Sequence, residues 1–271
     1  MIFDNTEAKF PSQMAGGVSE MDPRQTRFEH GQGYSAHEGQ ASAFAFNPER
    51  QIDQGGLAKF ISQVYLWMVA GLFITAGVSL TILNNASLAE ALMPFFWPLF
   101  IGKLIVVFAL VSRVHSMSLV TATALFLGYS AVNGITLTYL LAMYTPASAA
   151  NVFMVTAGTF GIMAFYGLTT KQDLTKWSSL LMMAVVGVFI AMLMNFFFIQ
   201  SSVFSLAISC LAVFIFVGLI AYDNQMIKAT YVDGMESSGE GAKYAILAAF
   251  HLYLDFIALY VHLLNLLGDR D

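Results

Sequence analysis

The chain is poor in cysteine and in charge, and both shortages exclude function classes. Its single cysteine, Cys210, lies inside an apolar run, so neither an intrachain disulfide nor a cysteine-based metal site can be built. Only 11% of the 271 residues are charged, the net charge is -5 and Lys and Arg nowhere cluster, so the electrostatic footprint of nucleic-acid binding is missing. There is no phosphate-binding glycine loop and no Ser/His/Asp signature. Without an ATP-binding motif, active pumping has no support. The start also lacks a basic stretch followed by an apolar core of about 7 to 15 residues. A cleavable signal peptide is therefore not expected, and the first spanning helix is expected to act as the targeting signal.

Hydrophobic residues, in contrast, make up 58% of the chain, and the mean hydropathy is +0.69. That is the composition of a polytopic membrane protein. Residues 1–56 stand apart: polar, rich in Gly, Ser and Gln, without a sustained period, and expected to form a disordered cytoplasmic tail. Phe28, Tyr34, Phe44 and Phe46 are either docking points for a partner or sparse aromatics in a loose tail. Apolar runs then follow at 60–83, 95–112, 118–142, 148–169, 177–199, 203–227 and 244–267. Each is near the roughly 20 residues that cross a bilayer. The expectation is an all-α fold, with seven transmembrane helices within 57–268 and a short C-terminal tail at 269–271. Between the runs stand Asn84-Asn85, Pro146, Gln200-Ser201-Ser202 and Asp233-Gly234, which break helices and make most connections short.

Lys and Arg alternate between the two sides. Lys9, Arg24, Arg27, Arg50 and Lys59 precede or open the first run; Arg113, Lys171 and Lys176, and Lys228 and Lys243 occupy the second, fourth and sixth loops. The first, third and fifth loops carry none. This bias predicts a cytoplasmic N-terminus and, with seven spans, an external C-terminus. Lys103 is the exception, falling inside the second run, where it either snorkels or faces the bundle.

The most informative run is the last. At about 100° per residue, His251, Asp255, Ala258, His262 and Asn265 form one stripe on an otherwise apolar helix. A charge facing lipid costs at least about 2.5 kcal/mol by insertion scales. The stripe is therefore expected to face protein or a wet cavity, with other helices around it. A second intramembrane carboxylate, Asp223, lies near the inner end of the sixth run, within reach of Asp255 if the helices tilt or shift by a turn. Two carboxyls in contact at low dielectric cannot both ionise cheaply and tend to share a proton. Loss of that proton leaves hard oxygen donors of the kind Ca²⁺ prefers. Asp223 also has a simpler reading, as an interfacial carboxylate helped by Lys228. Arg113 is a candidate counter-charge or an ordinary positive-inside anchor.

Four stretches carry a resemblance: Asn133-Gly134-Ile135-Thr136-Leu137; Phe160-Gly161 through Tyr166-Gly167-Leu168-Thr169-Thr170-Lys171-Gln172-Asp173-Leu174; Ala221-Tyr222-Asp223-Asn224-Gln225; and Leu252-Tyr253-Leu254-Asp255-Phe256-Ile257. In this order, over residues 57 to 268, the chain resembles the transmembrane Bax inhibitor motif family. The resemblance implies a seven-helix bundle with the last helix central, and a pH-sensitive calcium leak across the membrane. It maps the family's aspartate pair, the pH sensor and gate, onto Asp223 and Asp255, with calcium as a transiently bound permeant ion and no cofactor. The family's latch arginine maps onto Arg113, across a gap between Arg113 and Ser118. The resemblance and the look of the tail imply a bacterial inner membrane. The chain departs from the simplest members in its long tail and in His251, a secondary proton site or a packed histidine one turn before Asp255.

Two other function classes compete with a leak. An intramembrane aspartyl protease also needs a proton-sharing pair, one carboxylate as base and the other as acid. Its second motif is Gly-x-Gly-Asp, whereas this chain has Leu252-Tyr253-Leu254-Asp255 and no Pro-Ala-Leu element, so an enzyme is not expected. A non-conducting modulator that binds a membrane protease or a cell-death regulator is the second alternative. Weaker signals read as structure. His251 and Asp255, four residues apart, lack the further ligands of a transition-metal site. Gly158, Gly161 and Gly167 read as close-contact positions, and the Met-rich stretches as adaptable packing.

Overall fold

The computed structural model describes residues 53–113 and 116–270. The expected tail, with Phe28, Tyr34, Phe44 and Phe46, lies outside the described residues. Eight α-helices follow in order: α1 (Gln54–Leu83), α2 (Ala86–Leu92), α3 (Phe96–Arg113), α4 (Leu119–Leu141), α5 (Pro146–Thr169), α6 (Ser178–Met194), α7 (Ser202–Thr230) and α8 (Gly239–Leu267). A 3₁₀ turn, Met93–Phe95, joins α2 to α3; another, Leu174–Trp177, leads into α6, and a π-helical turn, Asn195–Ile199, extends it. Among the described residues, seven segments are long and apolar enough to cross a membrane, matching the seven apolar runs.

The boundaries are set by caps. Asp53 accepts from the N–H groups of Gly55 and Gly56, so α1 opens before the apolar run does. Ser238 accepts from Gly241 N–H and starts α8 at Gly239 rather than near residue 244. The largest departure is α2. Asn84-Asn85 ends α1 as a breaker should, but the Asn85 side chain also accepts from Leu88 N–H and caps a new helix, so the second span begins at Ala86 instead of residue 95.

Helix α8 packs against α1, α4, α5 and α7, and 61% of its most apolar window is buried, against none for the second span. Its aromatic residues interlock with those of its neighbours. Phe126 and Tyr129 of α4 meet Phe250 and Tyr253 edge-on, with centroids 5.1 to 6.0 Å apart, while Phe256 meets Phe153 and Phe160 of α5 at 5.4 and 5.6 Å. Such pairs favour T-shaped geometry and contribute about 0.5–1.5 kcal/mol each beyond burial. The outward faces carry Phe73, Phe108, Ile162, Phe165 and Phe214, all strongly exposed in the isolated chain. In a bilayer these meet lipid tails, which are as apolar as the side chains themselves.

Without a hydrophobic drive between helices, close backbone approach supplies much of the contact. Gly134 fits against the Thr75 carbonyl and Val78 of α1, and Gly167 of α5 against the backbone of Ala221 in α7. An added Cβ at Gly167 would lie 2.2 Å from the Ala221 carbonyl oxygen, a clash with backbone that cannot rotate away. Gly158 and Gly161, expected to play the same part, have open space beside them. Where α7 meets the connection to α8, Tyr231 donates to Glu236 Oε2 at 2.7 Å, which holds the Glu236 carboxyl below its usual range. Gln63 of α1 donates to the Glu236 carbonyl at 3.1 Å, and the Asp53 N–H donates to Asp233 at 3.0 Å. The start of α1 is thus tied to the connection between α7 and α8.

Gly167→Ala is expected to lower stability by about 1–3 kcal/mol, the usual range for overpacking, and Gly158→Ala to leave it unchanged. Unfolding of the detergent-solubilised chain, compared side by side, checks both.

Candidate functional site

The α7–α8 connection turns in a short space. Gly234 adopts a left-handed conformation (φ 85°), Met235–Ser237 form a 3₁₀ turn, and Gly241 lies so close to the Met235 carbonyl that a side chain there would not fit. The result is a pair of adjacent, contacting helices, α7 and α8. The stripe on α8 faces α7 along most of its length. Asn265 Nδ2 donates to Ser205 Oγ (3.1 Å) and Ser209 Oγ (2.8 Å), and His262 Nδ1 lies 3.2 Å from Ser209 Oγ. Further along, the Asp255 and Asp223 carboxyls are near enough to interact, and His251 is near enough to act on the charge of Asp223.

Asp255 is buried, and its Oδ2 finds no hydrogen-bond partner among the described residues. Its neighbour is a second carboxyl, itself an acceptor when ionised. One proton resolves the conflict by making one carboxyl a donor to the other; its removal leaves two negative charges in contact. The cheapest state of such a pair is therefore the one that holds a single proton.

The residues around Asp223 hold it in place. Asn224 Nδ2 donates to the Ile220 carbonyl at 2.7 Å, and its Oδ1 accepts from the Tyr65 hydroxyl of α1. Gln225 accepts from Leu174 N–H at 2.9 Å and donates to the Gln172 carbonyl at 2.7 Å, pinning the connection between α5 and α6. Lys228 donates to the Leu168 carbonyl at 3.3 Å. With the Gly167–Ala221 contact, these bonds give a positioning role to Gly167, Leu168, Gln172 and Leu174 of one sequence stretch and to Ala221, Asn224 and Gln225 of another.

Arg113 is exposed at the C-terminal end of α3, a helix packed chiefly on α4, and pairs with neither aspartate. Among the described residues the ion pair within 4.0 Å is Lys243–Glu240, at 2.7 Å. Lys103 does face the bundle. Its Nζ donates to Asn133 Oδ1 and Thr136 Oγ1, each at 3.2 Å, and lies 5.0 Å from the centroid of the Phe100 ring. Asn133 Nδ2 donates in turn to the Tyr253 hydroxyl at 2.8 Å, which lies 2.7 Å from Thr75 Oγ1. This chain of polar groups crosses α3, α4, α8 and α1. Sequence reasoning left Lys103 without a partner and gave Thr75 and the Tyr253 hydroxyl no polar role; the usable signal was Asn133, an amide in mid-span that needs partners of its own.

Residues 57–271 match the family described as "Inhibitor of apoptosis-promoting Bax1". The chain belongs to this family. YbhL, an inner membrane protein of Escherichia coli, is 40% identical over 222 residues, spanning 80% of this chain and 94% of the relative. An uncharacterized protein of Deinococcus radiodurans is 41% identical over 228 residues, or 84% of this chain and 96% of its own length. An uncharacterized membrane protein of Streptococcus pyogenes is 35% identical over 221 residues, 80% and 95% of the two chains. The chain is an integral, multi-pass membrane protein of the Bax inhibitor family, and the family match begins where the polar tail gives way to the bundle.

Tyr253→Phe removes the hydroxyl that serves both Thr75 and Asn133. Interhelical bonds in membranes average about 0.6 kcal/mol, and an orphaned buried partner adds about 1–3 kcal/mol. A loss of about 1–2 kcal/mol is expected in the unfolding of the solubilised chain.

Proposed function

We propose that this protein is a pH-sensitive calcium leak in a bacterial inner membrane, closed by a proton shared between Asp223 and Asp255. The observation that carries the reading is the buried Asp255 Oδ2, which has no hydrogen-bond partner among the described residues and lies within interaction range of a second carboxyl. A structural carboxylate in hydrocarbon would be paired with a cation or fully hydrogen-bonded. A pair that depends on one exchangeable proton is instead suited to switching. When the proton leaves, repulsion parts α7 from α8 and oxygen ligands of the type Ca²⁺ prefers become available. Two carboxylates make a poor storage site: among the described residues no group of three or more His, Cys, Asp or Glu is placed to hold a metal. Ca²⁺ is therefore a passing ion, bound transiently by Asp223 and Asp255 and driven by its own gradient. His251, one turn from Asp255 and close to Asp223, is a secondary proton site, and Arg113 remains a candidate latch for a rearranged state.

The N-terminus is on the cytoplasmic side in this reading, supported by the alternation of Lys and Arg between loops. With Cys210 replaced by Ala, a cysteine at Gln200 should react with an impermeant maleimide on intact cells and one at Gly234 should not; the reverse pattern inverts the topology.

The central test is Ca²⁺ flux into dye-loaded proteoliposomes, from about pH 5 to about pH 8, the range in which coupled carboxyls and histidines titrate. Flux should vary with pH, and the response should vanish in Asp223→Asn and Asp255→Asn, each checked for monodisperse elution. A well-folded chain that carries no Ca²⁺ at any pH ends the channel reading and leaves a non-conducting modulator, which would tolerate both replacements.

A further inference from the structure

At the other end of α7 and α8 from the acidic pair lies a cavity of about 760 Å³, where the π-helical turn after α6, the start of α7 and the end of α8 converge. Its position is fixed by three chain segments that end together: Ile199 closes the fifth span, Ser202 opens the sixth, and Leu267 closes the last. Span ends of this kind lie where the hydrocarbon of a bilayer gives way to headgroups.

The lining has a consistent chemistry. Its polar members, Arg270, Asn265, Asn195, Gln200 and the serines that open α7, all carry hydrogen-bond donors, and no carboxylate is among them. Arg270 spends only Nη2 on neighbouring side chains, donating to Asn265 Oδ1 at 2.8 Å and to the Tyr144 hydroxyl at 3.4 Å. Its guanidinium lies 5.6 Å from the Tyr144 ring centroid, and those contacts orient the rest of the fork. Asn195 is held by accepting from Ser201 N–H at 3.0 Å. The remaining wall is apolar, formed by Phe196, Phe197 and Leu206, with both phenylalanines more than half exposed in the isolated chain.

We propose that this cavity binds the phosphodiester headgroup of an anionic phospholipid, with its acyl chains lying along Phe196 and Phe197. A cation over a planar fork, amide and hydroxyl donors and an apolar exit toward the bilayer match a phosphate joined to hydrocarbon. Among the described lining residues no carboxylate offers a counter-charge to a headgroup with its own ammonium. Soluble phosphate esters share the recognised group but leave the apolar wall unused. The site is remote from the aspartate pair and independent of what that pair conducts.

The test is native mass spectrometry of the full chain in detergent, titrated separately with phosphatidylglycerol, phosphatidylcholine and glycerol 1-phosphate. A single phosphatidylglycerol should be retained at least about tenfold more tightly than phosphatidylcholine, the worth of one hydrogen bond to a charged group. Glycerol 1-phosphate should bind more weakly still. Arg270→Gln should lose about tenfold in phosphatidylglycerol affinity, while Arg113→Gln, at an exposed arginine elsewhere, should lose nothing. Because Arg270 also supports Tyr144 and Asn265, Ser202→Leu provides a second variant that fills the cavity and removes none of those bonds, with the same loss expected. Equal retention of the two lipids, undiminished binding in both cavity variants, or an equal loss in Arg113→Gln overturns the site. Glycerol 1-phosphate binding as tightly as phosphatidylglycerol overturns its assignment to lipid.

Discussion

Hydrocarbon offers no hydrogen bonds, so every polar group carried into the bundle must find its partner in protein. Most of this architecture answers that demand, and α8 concentrates it. One side of α8 presents Tyr253 to Thr75 and Asn133; the side toward α7 presents Asp255, His262 and Asn265. The demand is met with neutral partners nearly everywhere. Among the described residues it fails at Asp255 Oδ2, close to a second carboxyl.

The stretches that mark the family form one supporting frame. Gly167 allows α5 to reach the backbone of α7 at Ala221, two residues from Asp223. Gln225, two residues beyond, fastens the α5–α6 connection through Gln172 and Leu174. Asn224 reaches α1 through Tyr65. Asp223 is thus bracketed by contacts to two other helices and one connection, while its own carboxyl is left for Asp255. Such a frame fixes the position from which Asp223 approaches Asp255, and interactions between carboxyls depend steeply on alignment.

The spans were legible in the sequence because a bilayer enforces length: each crossing needs about 20 apolar residues, and little else produces such runs. The stripe on α8 was legible for a related reason, since polar residues at helical spacing have one place to go. What could not be read was partnership. Lys103 and Asn133 are 30 residues apart, and Asn133 and Tyr253 are 120 apart; which of several mid-span polar groups meet depends on helix rotation and tilt, which no local pattern encodes. The three glycines of α5 show the same limit. They look alike in sequence, yet Gly167 alone faces a neighbour, because packing decides which side of α5 turns inward. Asn85 illustrates a chemical ambiguity instead, since an asparagine that interrupts one helix is equally suited to start the next.

At Gly167 the two helices touch without an intervening layer of side chains. Side chains can rotate or compress and so absorb small displacements; a carbonyl oxygen lodged against an α-carbon has no such compliance. At this level α5 and α7 behave as a single stiff member. Any movement that draws Asp223 away from Asp255 must carry α5 with it, along with the connection that Gln225 fastens, so the load of parting one carboxyl pair is distributed over three helices instead of one.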